Sequence, residues 1–148
     1  AMHGLAMTYD QIEKWDKSDE LYTKLIALND RDAQAYNNFA YSLVERDEDL
    51  EYALTLAEKA IQISPDVSAY LDTIGWIYYK LSEFEKAKDF IAQALIYDDS
   101  SAVILEHYGD VLISVEEIDE ALIFYNKALL LDEDNEQLQT KISSYESQ

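Results

Sequence analysis

Apolar residues recur along most of the chain at the three- and four-residue steps that place them on one face of an α-helix. Two consecutive runs with this pattern contain Tyr36, Phe39, Ala40 and Leu43, followed by Ala53, Leu56, Ala57 and Ala60. Polar residues separate the runs, which indicates short helices joined by tight connections. The hydrophobic pattern therefore predicts an all-α chain built from pairs of amphipathic helices.

The pattern repeats with a fixed period, which small residues mark most clearly. The separation is 34 residues for Ala53, Ala87 and Ala121, and again for Ala60, Ala94 and Ala128. Gly75 and Gly109 keep this spacing, whereas Ala40 precedes Gly75 by 35 residues. One extra residue therefore lies within 46–50, and the chain is read as an array of equivalent units.

The period sets the boundaries of these units. We predict full repeats at 33–67, 68–101 and 102–134, a partial first repeat at 8–32, and a C-terminal capping helix at 135–148. Residues 1–7 show no helical period and are interpreted as a cloning remnant, so we expect them to lie outside the fold. The incomplete first unit leads us to expect that the chain was cut from a longer protein.

The unit length and residue order resemble the tetratricopeptide repeat. In the middle unit the match is carried by Leu71, Ile74, Gly75, Tyr78, Ala87, Ile91 and Ala94. The resemblance implies a right-handed superhelical solenoid of antiparallel helix pairs, whose first helices line a concave groove for extended peptides or partner helices. The run 70–76 (YLDTIGW) further resembles bacterial members of cell-envelope or exported type. It leaves the compartment open between cytoplasm and bacterial envelope or periplasm.

Three turn positions depart from the family pattern. The glycine usual inside a unit is replaced by Asp47, Ser82 and Glu116. Because Asp and Ser side chains form local hydrogen bonds that support turns, we expect adjusted turns within the same fold.

Composition narrows the classes of function. The 148 residues include 31 Asp and Glu against 11 Lys and Arg, a formal charge of −20. This charge opposes contact with nucleic-acid phosphates, and no apolar run approaches the roughly 20 residues of a membrane helix. We therefore expect no nucleic acid as a partner and no direct membrane insertion. With two His and no Cys, catalytic relays and metal-ligand sets are missing, so we predict a noncatalytic protein without cofactor or metal.

The resemblance places nine candidate peptide contacts on the first helices. They are Asn37, Tyr41, Glu45, Asp72, Thr73, Trp76, Tyr79, Glu106 and Asp110. The aromatic members are typical of binding hot spots, although packing against neighbouring helices is an equal alternative for Trp76. The acidic members favour a basic or mixed basic-apolar peptide or helix. The Lys and Arg residues that clamp carboxylates in the chaperone-binding branch of the family are missing, so an acidic tail is not expected.

Two other interpretations stay open. The chain is alternatively a structural segment that forms homo-oligomers through Val103, Ile113, Leu130 or the capping helix. A third interpretation makes it the regulatory domain of an enzyme whose catalytic part is absent from this sequence. The acidity itself fits solubility as well as partner binding.

Overall fold

The computed structural model describes residues 1–147, which contain helices and no strands. The helices are α1 (Met2–Gln11), α2 (Trp15–Leu28), α3 (Ala33–Glu45), α4 (Leu50–Ile63), α5 (Ser68–Lys80), α6 (Phe84–Tyr97), α7 (Ala102–Ser114), α8 (Ile118–Leu131) and α9 (Glu136–Glu146). The predicted all-α class of antiparallel helix pairs is confirmed. The chain divides into two compact units, unit 1 at Ala1–Asp66 and unit 2 at Val67–Gln148. Gln148, the last residue of the predicted capping segment, lies outside the described residues.

Unit 1 consists of the pairs α1–α2 and α3–α4, and α1 also contacts α3. Within α1, Ala6 has no exposed surface, and the His3 Nε2 atom lies 2.8 Å from an Asp32 carboxylate oxygen. Residues 1–7 therefore belong to the fold, and the expectation that they lie outside it is wrong. Ala6 precedes Ala40 by 34 residues, so it holds the position where the other first helices carry a small residue for close packing.

Unit 2 consists of the pairs α5–α6 and α7–α8, with α9 packed against α8. Ile91, Leu112 and Tyr125 are among its largest fully buried side chains. From α9, Leu138 and Ile142 are buried as well, while most of the polar residues around them stay exposed. The helix thus removes apolar surface beside α8 from water.

Small residues at equivalent positions bring the two helices of each pair together. A Cβ atom added at Gly75 would lie 2.5 Å from Ile91 Cγ1, and one added at Gly109 would lie 2.4 Å from Tyr125 Cε1. In the pair α3–α4 the equivalent positions hold Ala40 and Ala57, both fully buried. The pairs α5–α6 and α7–α8 therefore combine a glycine with a large side chain, and the pair α3–α4 combines two alanines.

The turn inside each helix pair contains a residue with left-handed backbone. The φ angles are 58° at Glu13, 51° at Asp47, 62° at Ser82 and 64° at Glu116. In every case the backbone N–H of the following residue donates to the carbonyl oxygen five residues before that following residue. The distances are 2.8 Å for Lys14 to Tyr9 and 2.9 Å for Glu48 to Leu43, Glu83 to Tyr78 and Glu117 to Leu112. This is the helix-ending motif that glycine usually supplies. The replacing side chains therefore accept a conformation that glycine adopts more easily. The turn between α3 and α4 alone has a second left-handed residue among those described, Asp49 with a φ of 38°.

Candidate functional site

The nine predicted contacts are divided between the two units. Unit 1 contains Asn37, Tyr41 and Glu45 on α3, and unit 2 contains Asp72, Thr73, Trp76 and Tyr79 on α5 with Glu106 and Asp110 on α7. Asn37, Asp72 and Thr73 are buried, at 7%, 5% and 2% exposed. These three side chains offer little surface to a peptide, and their role in binding stays a prediction.

An aromatic stack occupies the first-helix side of unit 2. The Trp76 ring stacks on two neighbouring rings. Its centroid lies 4.5 Å from that of Tyr79, with 9° between the planes, and 3.8 Å from that of His107, with 15° between the planes. Lys80 adds its ammonium 5.7 Å from the centroid of the Trp76 ring. Trp76 therefore packs against the neighbouring first helix through His107, which is the packing alternative raised from the sequence.

Beneath the stack, Asp72 is paired with His107. The His107 Nδ1 atom lies 3.0 Å from each carboxylate oxygen of Asp72, and both residues are buried. Thr73, next to this pair on α5, donates its hydroxyl to the Ala69 carbonyl oxygen at 2.8 Å. The carboxylate of Asp72 thus already has a partner within the chain.

The two acids of α7 are likewise paired inside unit 2. Lys141 Nζ lies 2.7 Å from Glu106 Oε2 and 3.0 Å from Asp110 Oδ1, and the Tyr125 hydroxyl donates to Asp110 Oδ1 at 2.6 Å. Burial lowers the pKa of Lys141, but its hydrogen bonds and charge contacts with the two acids raise it on balance above its ordinary value. Burial and the bond to Asp110 raise the pKa of Tyr125 far above its ordinary range.

Unit 1 contains a pocket of about 520 Å³ between α1, the start of α2 and α3. Its apolar and aromatic walls include Met7, Trp15, Tyr22 and Tyr41, and its acidic residues are Asp10, Glu13 and Glu45. Met7 and Tyr41 are 45% and 40% exposed, so the walls are open to a ligand. The pocket combines apolar surface with negative charge, the chemistry that suits a side chain with an aliphatic stem and a cationic head.

At the inner side of this pocket, Asp10 accepts two hydroxyl hydrogen bonds. The Tyr22 hydroxyl donates to Oδ2 at 2.7 Å, and the Ser42 hydroxyl donates to Oδ1 at 2.8 Å. Burial, followed by the bond to Asp10, raises the pKa of Tyr22 far above its ordinary range, so this tyrosine stays a donor. Both donors are neutral, and they orient the carboxylate without cancelling its charge.

Arg46, which also lines the pocket, is held by other residues. Its guanidinium pairs with Asp19, lies 4.9 Å from the Trp15 ring centroid, and donates through Nε to the Ser42 carbonyl oxygen at 3.3 Å. Burial raises the pKa of Asp19 even though Arg46 acts in the opposite direction. The guanidinium thus serves to hold α3 against α2 rather than to fill the pocket.

Sequence reasoning missed the contributions of Met7, Asp10, Glu13 and Trp15 to this pocket. Met7 lies in the segment interpreted as a cloning remnant, and the other three lie in the partial repeat, for which no peptide contact was predicted. A signal for α1 was present, because Ala6 keeps the 34-residue spacing to Ala40. The pairing of Asp72 with His107 and of Glu106 with Lys141 also had a signal, since both pairs are 35 residues apart.

Within residues 1–147, no cluster of three or more His, Cys, Asp or Glu side chains has the geometry to hold a metal ion. No helix of that part of the chain is long and apolar enough to cross a membrane.

The repeated helix pairs and their first-helix surfaces define a helical-repeat protein. A family model described as tetratricopeptide repeat matches residues 1–36, and a second with the same description matches residues 69–99 and 102–135. The chain belongs to the tetratricopeptide repeat family, as its residue pattern predicted. The matched segments include residues 1–7, which agrees with their place in α1.

Individual relatives give the same result. The chain is 25% identical over 123 residues to BBSome complex member BBS4 of Bos taurus, a match that covers 83% of this chain and 23% of the bovine protein. Among solved structures, TTC0263, a thermophilic TPR protein of Thermus thermophilus, has a TM-score of 0.85 at 25% identity, covering 99% of this chain and 80% of that one. YrrB, described as a TPR protein with an unusual peptide-binding site, has a TM-score of 0.74 at 27% identity, covering 84% and 63%. The chain thus spans less than a quarter of its curated relative's length.

Proposed function

We propose that this chain is a noncatalytic protein-interaction module that binds a basic or mixed basic-apolar peptide, with the pocket of unit 1 as its main contact. The observation that carries the proposal is the pairing of apolar walls with acidic residues around a pocket of about 520 Å³. A lysine or arginine would place its aliphatic stem along those walls and its charge on the acids. An acidic peptide would be repelled by the same residues and by the net charge of −20.

The relatives support the general part of this proposal. YrrB, 27% identical, is described as having a peptide-binding site, and BBS4 is named as a member of a protein complex. Both descriptions fit a scaffold that recognises other polypeptides. The basic character of the peptide rests on the charges of this chain alone.

The test compares binding of labelled basic-apolar peptides with that of acidic peptides of equal length, by fluorescence anisotropy at low and high salt. The double variant Glu13→Gln/Glu45→Gln removes two charges from the pocket, and we expect it to weaken binding of basic peptides about tenfold at low salt. The matched control Glu51→Gln/Glu58→Gln removes two charges from α4. Equal affinity for acidic and basic peptides, or equal loss in both variants, would contradict the proposal.

The exposed apolar residues of unit 2 favour self-association as a second candidate. Leu130 and Val103 are 75% and 52% exposed, whereas Ile113 is half-buried. A second copy that covers Leu130 and Val103 would remove this surface from water. Because the net charge of −20 opposes contact between copies, the mass in solution is best measured over a range of salt. A monomer at every concentration and salt would exclude this candidate.

A further inference from the structure

Two acids of the chain occupy the same kind of site in different units. Asp10 on α1 accepts a hydrogen bond from Tyr22 on α2, and Asp110 on α7 accepts one from Tyr125 on α8. Each tyrosine is the eighth residue of its 14-residue helix. Both units therefore use a buried tyrosine of the second helix to fix a carboxylate on the first helix.

The neighbouring first helix completes the two sites differently. In unit 2, α9 supplies Lys141, whose ammonium contacts both oxygens of Asp110 at 3.0 and 3.2 Å. In unit 1, α3 supplies the hydroxyl of Ser42. Across the described part of the chain, no Lys, Arg or His side chain pairs with Asp10 as Lys141 pairs with Asp110. Asp110 thus shares one cation with Glu106 inside the protein, whereas the Asp10 carboxylate accepts hydrogen bonds from the hydroxyl groups of Tyr22 and Ser42.

The pocket carries further acids beside Asp10. Glu13 and Glu45 line it as well. Carboxylates that share one pocket repel each other, and a cation that enters between them removes that repulsion.

The Asp10 carboxylate also has room for such a cation. An ionised carboxylate offers about four acceptor sites, and Tyr22 and Ser42 use two of them. We propose that the pocket of unit 1 binds one lysine or arginine side chain of a partner peptide. The cationic group of this side chain contacts the Asp10 carboxylate in the way that the Lys141 ammonium contacts Asp110. This inference rests on the proposed function and names the contact that selects a basic peptide.

The experiment combines a change in the protein with a change in the ligand. The probes are N-acetylated, leucine-flanked peptides whose central residue is lysine or its uncharged analogue norleucine. We expect the unaltered protein to prefer lysine by about tenfold, since a charge-assisted contact in a half-buried pocket has that size. In Asp10→Asn the preference should fall close to one, while the control Asp16→Asn, which removes an exposed acid of α2, keeps it.

The outcomes separate this inference from the proposed function. If basic peptides bind in a salt-sensitive way but Asp10→Asn keeps the full lysine preference, the assignment of Asp10 is wrong and the proposed function stands. If the unaltered protein binds none of the peptides, both are wrong. Equal affinity of the unaltered protein for the lysine and norleucine peptides would also overturn the assignment. This last comparison requires no variant, so it holds even if Asp10→Asn fails to fold.

Discussion

Gly109 lies against Tyr125 in the pair α7–α8, and Gly109→Ala tests how closely these two residues are matched in size. An added Cβ would lie 2.4 Å from Cε1, 2.5 Å from Cδ1 and 3.1 Å from Cζ of Tyr125. Ordinary contacts between such atoms are about 3.5–4.0 Å, so the ring or the helix has to move by about 1 Å. The ring is confined, because Tyr125 is 1% exposed and its hydroxyl bonds Asp110 at 2.6 Å.

The expected cost follows from three contributions. Overpacking of a filled core costs about 1–3 kcal/mol, and loss of the hydrogen bond to the charged Asp110 would add about 1.5–3 kcal/mol. Replacing glycine by alanine inside a helix stabilises the folded state by about 1 kcal/mol, which offsets part of this cost. We therefore expect Gly109→Ala to lower the free energy of unfolding by about 3 kcal/mol, although alanine is the better helix former.

The assay is urea unfolding followed by circular dichroism, and the chain supplies its own control. Gly4 also lies in a helix, and a Cβ added there meets no atom within 4 Å, so Gly4→Ala should be neutral or slightly stabilising. In a Tyr125→Phe background the ring is released from Asp110, and the additional cost of Gly109→Ala should become smaller. The reasoning is refuted if Gly109→Ala is as harmless as Gly4→Ala.

Three further predictions concern the turns and the buried polar contacts. Glu116→Gly should stabilise the protein by about 0.5–1 kcal/mol in urea unfolding, because the residue has a φ of 64°, whereas Glu120→Gly inside α8 should destabilise it by about 1 kcal/mol. The pKa values of Tyr22 and Tyr125 are raised above the ordinary 10.0, so their stabilisation is present below pH 10 and is lost as the pH rises through the folded-state values. In a spectrophotometric titration both should ionise together with the loss of helical circular dichroism, and ionisation of all tyrosines before unfolding would contradict this. Lys141→Met should lower the free energy of unfolding, measured by thermal unfolding, by about 1 kcal/mol, a value that allows for the partial exposure of Lys141. Added salt should restore part of this loss, because it screens the repulsion between Glu106 and Asp110. Full stability of the variant at low salt would argue against the pairing.

The fold could be predicted from sequence because its determinants repeat. Ala87, Ala94, Ala121 and Ala128 were placed by the 34-residue period, and all four are fully buried. The segment left outside the fold, residues 1–7 of the chain, contains His3 and Gly4, which weaken its hydrophobic period. Ala6 is the one residue of α1 that is fully buried. A single small residue is a weak signal in a sequence when the rest of the unit is incomplete.

The candidate site was less accessible to sequence reasoning, because position on a helix does not show which charges are already paired. Of the nine predicted contacts, Tyr41 and Glu45 line the pocket of unit 1, and their role in binding stays a prediction. Asp10 could not be recognised in the same way, since its site depends on hydroxyls from Tyr22 and Ser42, 12 and 32 residues away. Such contacts follow from packing between helices and leave no local pattern.

The number of acidic residues therefore says less about specificity than whether each acid is already paired with a cation of the same chain. Unit 2 carries three acids among the predicted contacts, yet Asp72 is paired with His107, and Glu106 and Asp110 share Lys141. In unit 1 the cation that lines the pocket, Arg46, is paired with Asp19 outside the predicted set. The acids that line this pocket are Asp10, Glu13 and Glu45, and Asp10 is the one that the hydroxyls of Tyr22 and Ser42 orient. A peptide cation would gain most where the protein has oriented a carboxylate without neutralising it, and for this reason the proposed preference for a basic partner rests on unit 1 rather than on the more acidic repeats.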